Sequence, residues 1–225
     1  MSDAGTHAPE DPFDDVARRF DERAASYDES EFHRALAAEV VRFAGRGDPG
    51  AFASGIHRVL DVATGTGLVL RAVPASEGDA GEASLELTGV DISAGMLEVA
   101  RGELPGATLL QADATGALPF ADASFDLVTC VTGLHLMADP ADALRGWRRL
   151  LAPGGRVVVA AFRTDVERRH QHGTHDHLHA RTGTPEALAR VAADAGYAVV
   201  REQTWVTGDP PETCLLAELR PIMAG

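Results

Sequence analysis

Apolar positions along the chain change their period several times, and those changes divide it into elements. From Pro12 they recur at steps of three and four, with Phe13, Val16, Ala17, Phe20 and Ala24 on one face. Glu31 to Phe43 repeats the pattern through Phe32, Leu36, Val40 and Phe43. The spacing predicts two amphipathic helices, stopped by the Gly-Arg-Gly-Asp-Pro-Gly breaker at 45–50. Short apolar runs then alternate with helical stretches. Arg58 to Ala63, Leu85 to Val90, Ala107 to Gln111, Phe125 to Thr132 and Arg156 to Phe162 read as strands. Leu68 to Val73, Ala94 to Gly102 with Ser93 as N-cap, and Pro140 to Leu151 read as helices. Thr184 caps a further helix that starts at Pro185, runs to Ala195 and is ended by Gly196. Two β-rich runs, Tyr197 to Val206 and Thr213 to Leu219, are joined by Gly-Asp-Pro-Pro and predict a closing hairpin.

Strands alternating with helices at this spacing require a doubly wound α/β fold. The expected sheet is seven-stranded and mostly parallel, with the antiparallel hairpin at its C-terminal edge and a helical cap at the N-terminus. One domain is expected over residues 1–225, comprising a flexible tail at 1–11, the cap at 12–50, and the core at 56–225 with a His-rich lid at 163–183.

Charge narrows the choice of partner. A formal charge of −14 repels a phosphate backbone, and no stretch interleaves basic with aromatic residues, so a small molecule is expected rather than nucleic acid. All 20 basic residues are arginine. No apolar run approaches the roughly 18 residues of a membrane span, and Met1 to Glu10 is polar and acidic rather than a secretory leader. Cys130 and Cys214 stand far apart inside strand-like runs and read as buried free thiols. A cytoplasmic protein, monomer or homodimer, is expected.

The most informative stretch is Val59-Leu-Asp-Val-Ala-Thr-Gly-Thr-Gly67. A strand that ends in a glycine turn and enters a helix brings backbone N–H groups close to a ligand, although the same glycines could serve a tight turn alone. A dinucleotide fingerprint would place a small residue three positions after Gly67, where Leu70 stands. Asp61 sits in the strand just before the turn, where it would repel phosphates and suit a cation. Asp91, at the end of the second strand, is placed to accept from two ribose hydroxyls.

These residues resemble the class I S-adenosylmethionine-dependent methyltransferases, specifically the small-molecule group with a short helical cap. Asp61, Gly65 and Gly67 match the first motif of that family, with Ala63 and Thr64 in place of its commoner Gly-Cys pair. Asp91-Ile92-Ser93 matches its ribose-binding position, Met96 its adenine-face position, and Gln111-Ala-Asp113-Ala114 its third-strand motif. Phe125-Asp-Leu-Val and Leu151-Ala-Pro-Gly-Gly-Arg-Val-Val match the fourth and fifth strands. The resemblance implies a Rossmann-like fold, S-adenosylmethionine as cofactor, and Tyr27, Ala63, Thr64, Ile92, Met96, Asp113, Ala114 and Val131 among the residues around it. Three bland alternatives stay open: Tyr27 packing the cap on the sheet, Met96 filling the core, and Asp113 capping its own turn.

Methyl transfer from a sulfonium is an in-line displacement that asks mainly for alignment and exclusion of water. An acceptor that must lose a proton also needs a base. His135 follows the fourth strand at the carboxyl edge of the sheet and is the candidate base, against the alternative of ordering its own loop. His170, His172, His175, His177 and His179 lie within ten residues. They could ligate a divalent metal with Asp176, supply a base, or recognise an anionic acceptor as imidazolium, or they could form a solvated lid. Alternate histidines share a face only in an extended segment. Arg163, Arg168, Arg169 and Arg181 flank this loop and hint at an acceptor carboxylate. Two rival functions remain open, a nicotinamide-dependent oxidoreductase and an enzyme that uses the sulfonium electrostatically without transferring methyl.

Overall fold

The computed structural model describes residues 12–46, 55–73, 85–165 and 176–222. Helix α1 (Pro12–Asp21) leads through a 3₁₀ turn (Ala24–Glu29) into α2 (Glu31–Ala44). The core then runs β1 (Arg58–Val62), α3 (Leu68–Ala72), β2 (Glu86–Asp91), α4 (Ala94–Glu103), β3 (Thr108–Gln111) and β4 (Phe125–Val131). It continues with α5 (Pro140–Arg148), β5 (Leu151–Phe162), α6 (Asp176–His179), α7 (Pro185–Asp194), β6 (Tyr197–Thr207) and β7 (Glu212–Pro221).

The strands form one seven-stranded sheet in the order β3-β2-β1-β4-β5-β7-β6. β1 to β5 are parallel, and β7 inserts antiparallel between β5 and β6. The predicted doubly wound sheet and C-terminal hairpin are therefore present. Central strands carry apolar residues on both faces because helices cover both. Leu60, Val128, Cys130, Val157 and Val159 face a core shared with Leu144 and Trp147 of α5 and Leu188 of α7. Val59, Leu127 and Val158 face the opposite core, with Leu36 and Val40 of α2 and Leu70 of α3. Both thiols are buried.

Helix starts follow the sequence closely, since a cap is a local bond. Ser93 accepts from the Met96 N–H at 3.1 Å, Thr184 from Ala187 at 3.1 Å, and Asp139 from Ala141 at 2.9 Å. Several boundaries differ. Helix α5 ends at Arg148 rather than Leu151. Helix α1 stops at Asp21 rather than Ala24, because the Asp21 carboxylate is spent on α4, accepting from Ser93 Oγ at 2.6 Å and the Gly95 N–H at 2.8 Å. β5 begins at Leu151, before the Pro-Gly-Gly that reads as a turn. The pairing with β4 slips between Phe125 and Leu127, so the glycines sit in a bulge inside the strand.

A buried ionic cluster ties α2 to the C-terminal strands. The Glu218 side chain on β7 has no exposure and is ringed by Arg46, Arg156, Arg201 and Arg220. Burial alone would raise its pKa, but the arginines reverse this and hold it below the usual carboxylate value. Arg156 and Arg201 also donate to the last carbonyls of α2, Ala44 O at 2.8 Å and Phe43 O at 2.5 Å. Glu218→Ala leaves four arginines facing one another and should cost about 3 kcal/mol. That is the low end for a broken buried pair, because these guanidinia keep some access to water. A urea titration of the variant beside the parent checks it.

Candidate active site

The crevice outside a parallel sheet opens where neighbouring strands send their connections to opposite faces, here between β1 and β4. The turn after β1 takes up left-handed backbone at Ala63 (φ 55°), Gly65 (φ 57°) and Gly67 (φ 84°). The turn after β4 does the same at Thr132 (φ 50°). The two turns pack together, for a Cβ at Gly133 would stand 2.7 Å from that of Ala63. Asp91 locks the first turn. Its Oδ2 accepts from the Gly65 N–H and its Oδ1 from the Ser93 N–H, both at 2.8 Å. Burial raises the Asp91 pKa, and those backbone donors pull it back.

A pocket of about 720 Å³ lies over these turns. Of the residues singled out in the sequence, Tyr27, Ala63, Gly65, Asp91, Ile92, Met96, Asp113, Ala114 and Val131 line it. Both bland alternatives for Met96 and Asp113 coexist with that position. Met96 is fully buried, and Asp113 caps its turn by accepting from the Thr115 N–H at 2.8 Å and its hydroxyl at 2.7 Å. Tyr27 packs on the His33 ring at 4.6 Å and also forms pocket wall. Burial pushes its pKa up to about 12, so it stands there as a neutral phenol.

Asp61, Thr64 and Gly67 are placed elsewhere. Asp61 is 1 % exposed, and its Oδ1 accepts from Thr129 Oγ1 at 2.6 Å inside the sheet. Burial raises its pKa to about 7, and the carboxyl faces Thr129 rather than the pocket. Thr64 is buried, and its N–H pairs with Val90 O at 3.0 Å. Gly67 serves packing, since a Cβ there would stand 2.6 Å from Leu104 Cδ1. The wall also includes residues not foreseen, chiefly Val16 and Phe20 of α1, Thr115, and Leu136 and Met137 beyond β4. The amphipathic period of α1 marked Val16 and Phe20 as inward-facing, but it could not say that they face a ligand rather than core.

A second pocket of about 1160 Å³ adjoins the first, sharing Phe20, Tyr27, Thr132 and Leu136 with it. His135 is buried on its wall, with its ring stacked on that of His179 at 4.0 Å. His179 therefore joins the candidate base. It lies in α6, where alternate residues point to opposite sides, so the extended ladder of histidines is absent at 176–179. His170, His172 and His175 lie outside the described residues. Among the described residues no three His, Cys, Asp or Glu side chains gather as metal ligands. The flanking arginines are differently employed. Arg163 pairs with Asp165 at 2.5 Å and donates to Thr204, while Arg181 donates to Met137 O at 2.9 Å and Ala138 O at 2.6 Å. Arg168 and Arg169 fall outside the described residues.

An adenosyl group fits the first pocket on three counts. A carboxylate at its floor is held by backbone N–H groups, a glycine leaves space 3.9 Å from Met96 Sδ, and the surrounding walls are apolar. Comparison with known proteins agrees. Residues 60–159 match the family described as the methyltransferase domain. Among its relatives is a demethylmenaquinone methyltransferase of Renibacterium salmoninarum, 37% identical over 66% of this chain and 59% of that protein. A ubiquinone/menaquinone biosynthesis C-methyltransferase UbiE of Geotalea daltonii is 34% identical over 68% of this chain and 62% of that protein. The chain thus spans about three fifths of the length of these relatives. In fold it is similar to the N-methyltransferase NodS of Bradyrhizobium japonicum bound to S-adenosylhomocysteine, with TM-score 0.66 and 17% identity over 94% of this chain and 99% of that one. It is also similar to the [4+2]-cyclase SpnF, with TM-score 0.60 and 19% identity over 84% of this chain and 81% of that one.

Two measurements test this geometry. Asp91→Asn keeps the shape but surrenders the charge, and should weaken S-adenosylhomocysteine binding about 10- to 100-fold by calorimetry. Asp61 carries the pH dependence. Its folded pKa near 7 exceeds the unfolded value of 3.8, so the native state holds the extra proton between them and stability falls as pH rises through that window. Asp61→Asn removes this contribution. Its stability relative to the parent should improve from pH 4 to pH 8, as followed by urea midpoints.

Proposed function

We propose that this protein moves the methyl group of S-adenosylmethionine onto a small-molecule acceptor held in the second pocket, with His135 taking the acceptor's proton. The observation that carries the reading is the junction of the two pockets. The wall bearing Asp91 and the wall bearing His135 share Tyr27, Thr132 and Leu136, which supports donor and acceptor sites lying side by side. The bound cofactor supplies an electrophilic methyl carbon on a sulfonium. The remaining work belongs to the chain. Asp91, with Gly65 and Ile92 beside it, holds the ribose; Met96, Asp113 and Ala114 enclose the adenine; Ala63, Val131 and Tyr27 bound the methionine end. Phe20 and Tyr27 of the cap shut water out of the junction. His135, buried on the wall of the second pocket, accepts a proton from an oxygen, nitrogen or carbon acid as the nucleophile forms.

The names of the relatives print a quinone-type acceptor for those proteins, and a ring-bearing small molecule is the acceptor class we assign here. The cap and sheet would act as one catalytic unit. A cytoplasmic setting belongs to the same proposal, supported by the buried Cys130, which forms no disulfide. A divalent ion bound by His170, His172, His175 and His177 would be an accessory to the lid, and no step requires it.

One specific observation keeps a second reading in view. The fold is shared with a cyclase, so the same pocket could assist a rearrangement electrostatically. Mass analysis separates the two, since methyl transfer adds a methyl to the acceptor and releases S-adenosylhomocysteine. His135→Gln should lower kcat by about 10²- to 10⁴-fold while cofactor affinity stays within twofold. A variant that turns over at the parental rate would remove His135 from the role of base.

A further inference from the structure

The charged side chains of the cap divide by direction. Asp21 accepts from Ser93 and Gly95 of the α4 turn, and Asp28 accepts from Thr66 Oγ1 at 2.5 Å and pairs with Arg71. Arg18 pairs at the surface with Asp15 and Glu22. Arg19 and Arg23 remain, and both line the second pocket. No hydrogen bond or ion pair reaches either guanidinium among the described residues. They are steadied by rings instead, with Arg19 5.3 Å from the centre of Phe20 and Arg23 5.9 Å from those of both Phe20 and Tyr27. Arg19 Nε is buried without a partner. Arg19 is part-buried and Arg23 exposed, and in a chain of net charge −14 with carboxylates close by in sequence, two guanidinia left open on one wall suit an anion from outside. Glu212 is the one carboxylate on that wall among the described residues.

The rest of the wall is flat and aromatic. Phe32 stacks on Phe162 at 5.5 Å, and Tyr27 on His33 at 4.6 Å. We infer that the second pocket takes an aromatic acid, whose ring lies among these faces and whose carboxylate or phosphate is clamped by Arg19 and Arg23. The inference deepens the methyl-transfer reading and rests on it. It sets this protein's acceptor apart from a neutral ring, because a planar fork of donors recognises a planar or tetrahedral oxyanion and gains little from an uncharged one.

Calorimetry on the full chain preloaded with S-adenosylhomocysteine tests it, with 2-naphthoate, 2-naphthyl phosphate and neutral 2-naphthamide as probes. At least one anion should bind tenfold or more tighter than the amide, and the tighter of the two identifies the acidic group. Added salt should weaken the anion and leave the amide unchanged. Arg19→Gln with Arg23→Gln should erase the preference, and Arg19→Lys with Arg23→Lys should retain part of it, both with parental cofactor affinity. Equal binding of anion and amide, binding by neither anion, or a preference that survives the glutamines would overturn the inference while leaving methyl transfer standing. Failure of S-adenosylhomocysteine to bind the parent would instead remove the methyl-transfer reading beneath it. Should the glutamine variant not fold, the salt dependence in the parent decides alone.

Discussion

The site depends on one carboxylate used from both sides. Asp91 accepts the Gly65 N–H with one oxygen and the Ser93 N–H with the other, so a single buried group fastens the β1 turn to the β2 turn and fixes where each backbone points. Charged acceptors of backbone N–H groups are stronger than neutral ones, and burial spares this pair from competing water. The left-handed positions at Ala63 and Gly65 are tolerable because that bond holds them. Ser93 then caps α4, and Asp21 reaches the same Ser93 hydroxyl from the cap. One chain of hydrogen bonds thus runs from the ligand floor to the roof.

The roof gives the pocket its second half. Asp21 and Asp28 clip the cap to α4 and α3, and Phe20 beside the first clip with Arg23 and Tyr27 between the two lie over the crevice. A ligand spanning both pockets therefore touches sheet turns below and cap rings above. Under the proposed function, this division separates holding the methyl donor from holding the acceptor. The sheet turns offer backbone donors and a carboxylate, which suit an adenosyl group. The cap and the segment after β4 offer rings, imidazoles and guanidinia, which can vary with the acceptor without disturbing the lower layer.

Asp61 shows how a residue can match a motif and still act indirectly. Its place in the strand before the glycine turn suggested a charge aimed at a cation. In the fold it is sealed within the sheet against Thr129, with a pKa lifted by burial to about 7. A group in that state orders the turn from behind. Gly67 is similar, permitting α3 to approach Leu104 rather than opening space for a ligand.

The sequence by itself determined whatever depends on local chemistry and period. Alternating runs specified strands, helices and their order, Ser93, Asp139 and Thr184 marked helix starts, and Asp91 announced itself by standing at a strand end beside a glycine turn. Those features follow from bonds between near neighbours. Tertiary structure alone decided the ends of α1 and β5, the arginine ring about Glu218, the stacking of His179 on His135, and which arginines stay unpaired. Arg163 and Arg181 looked available beside the His-rich stretch yet are consumed by Asp165, Thr204 and two carbonyls, while Arg19 and Arg23, which no motif singled out, line the second pocket. A side chain's partners come from segments far away in the chain, and no period or propensity records which of them arrives first.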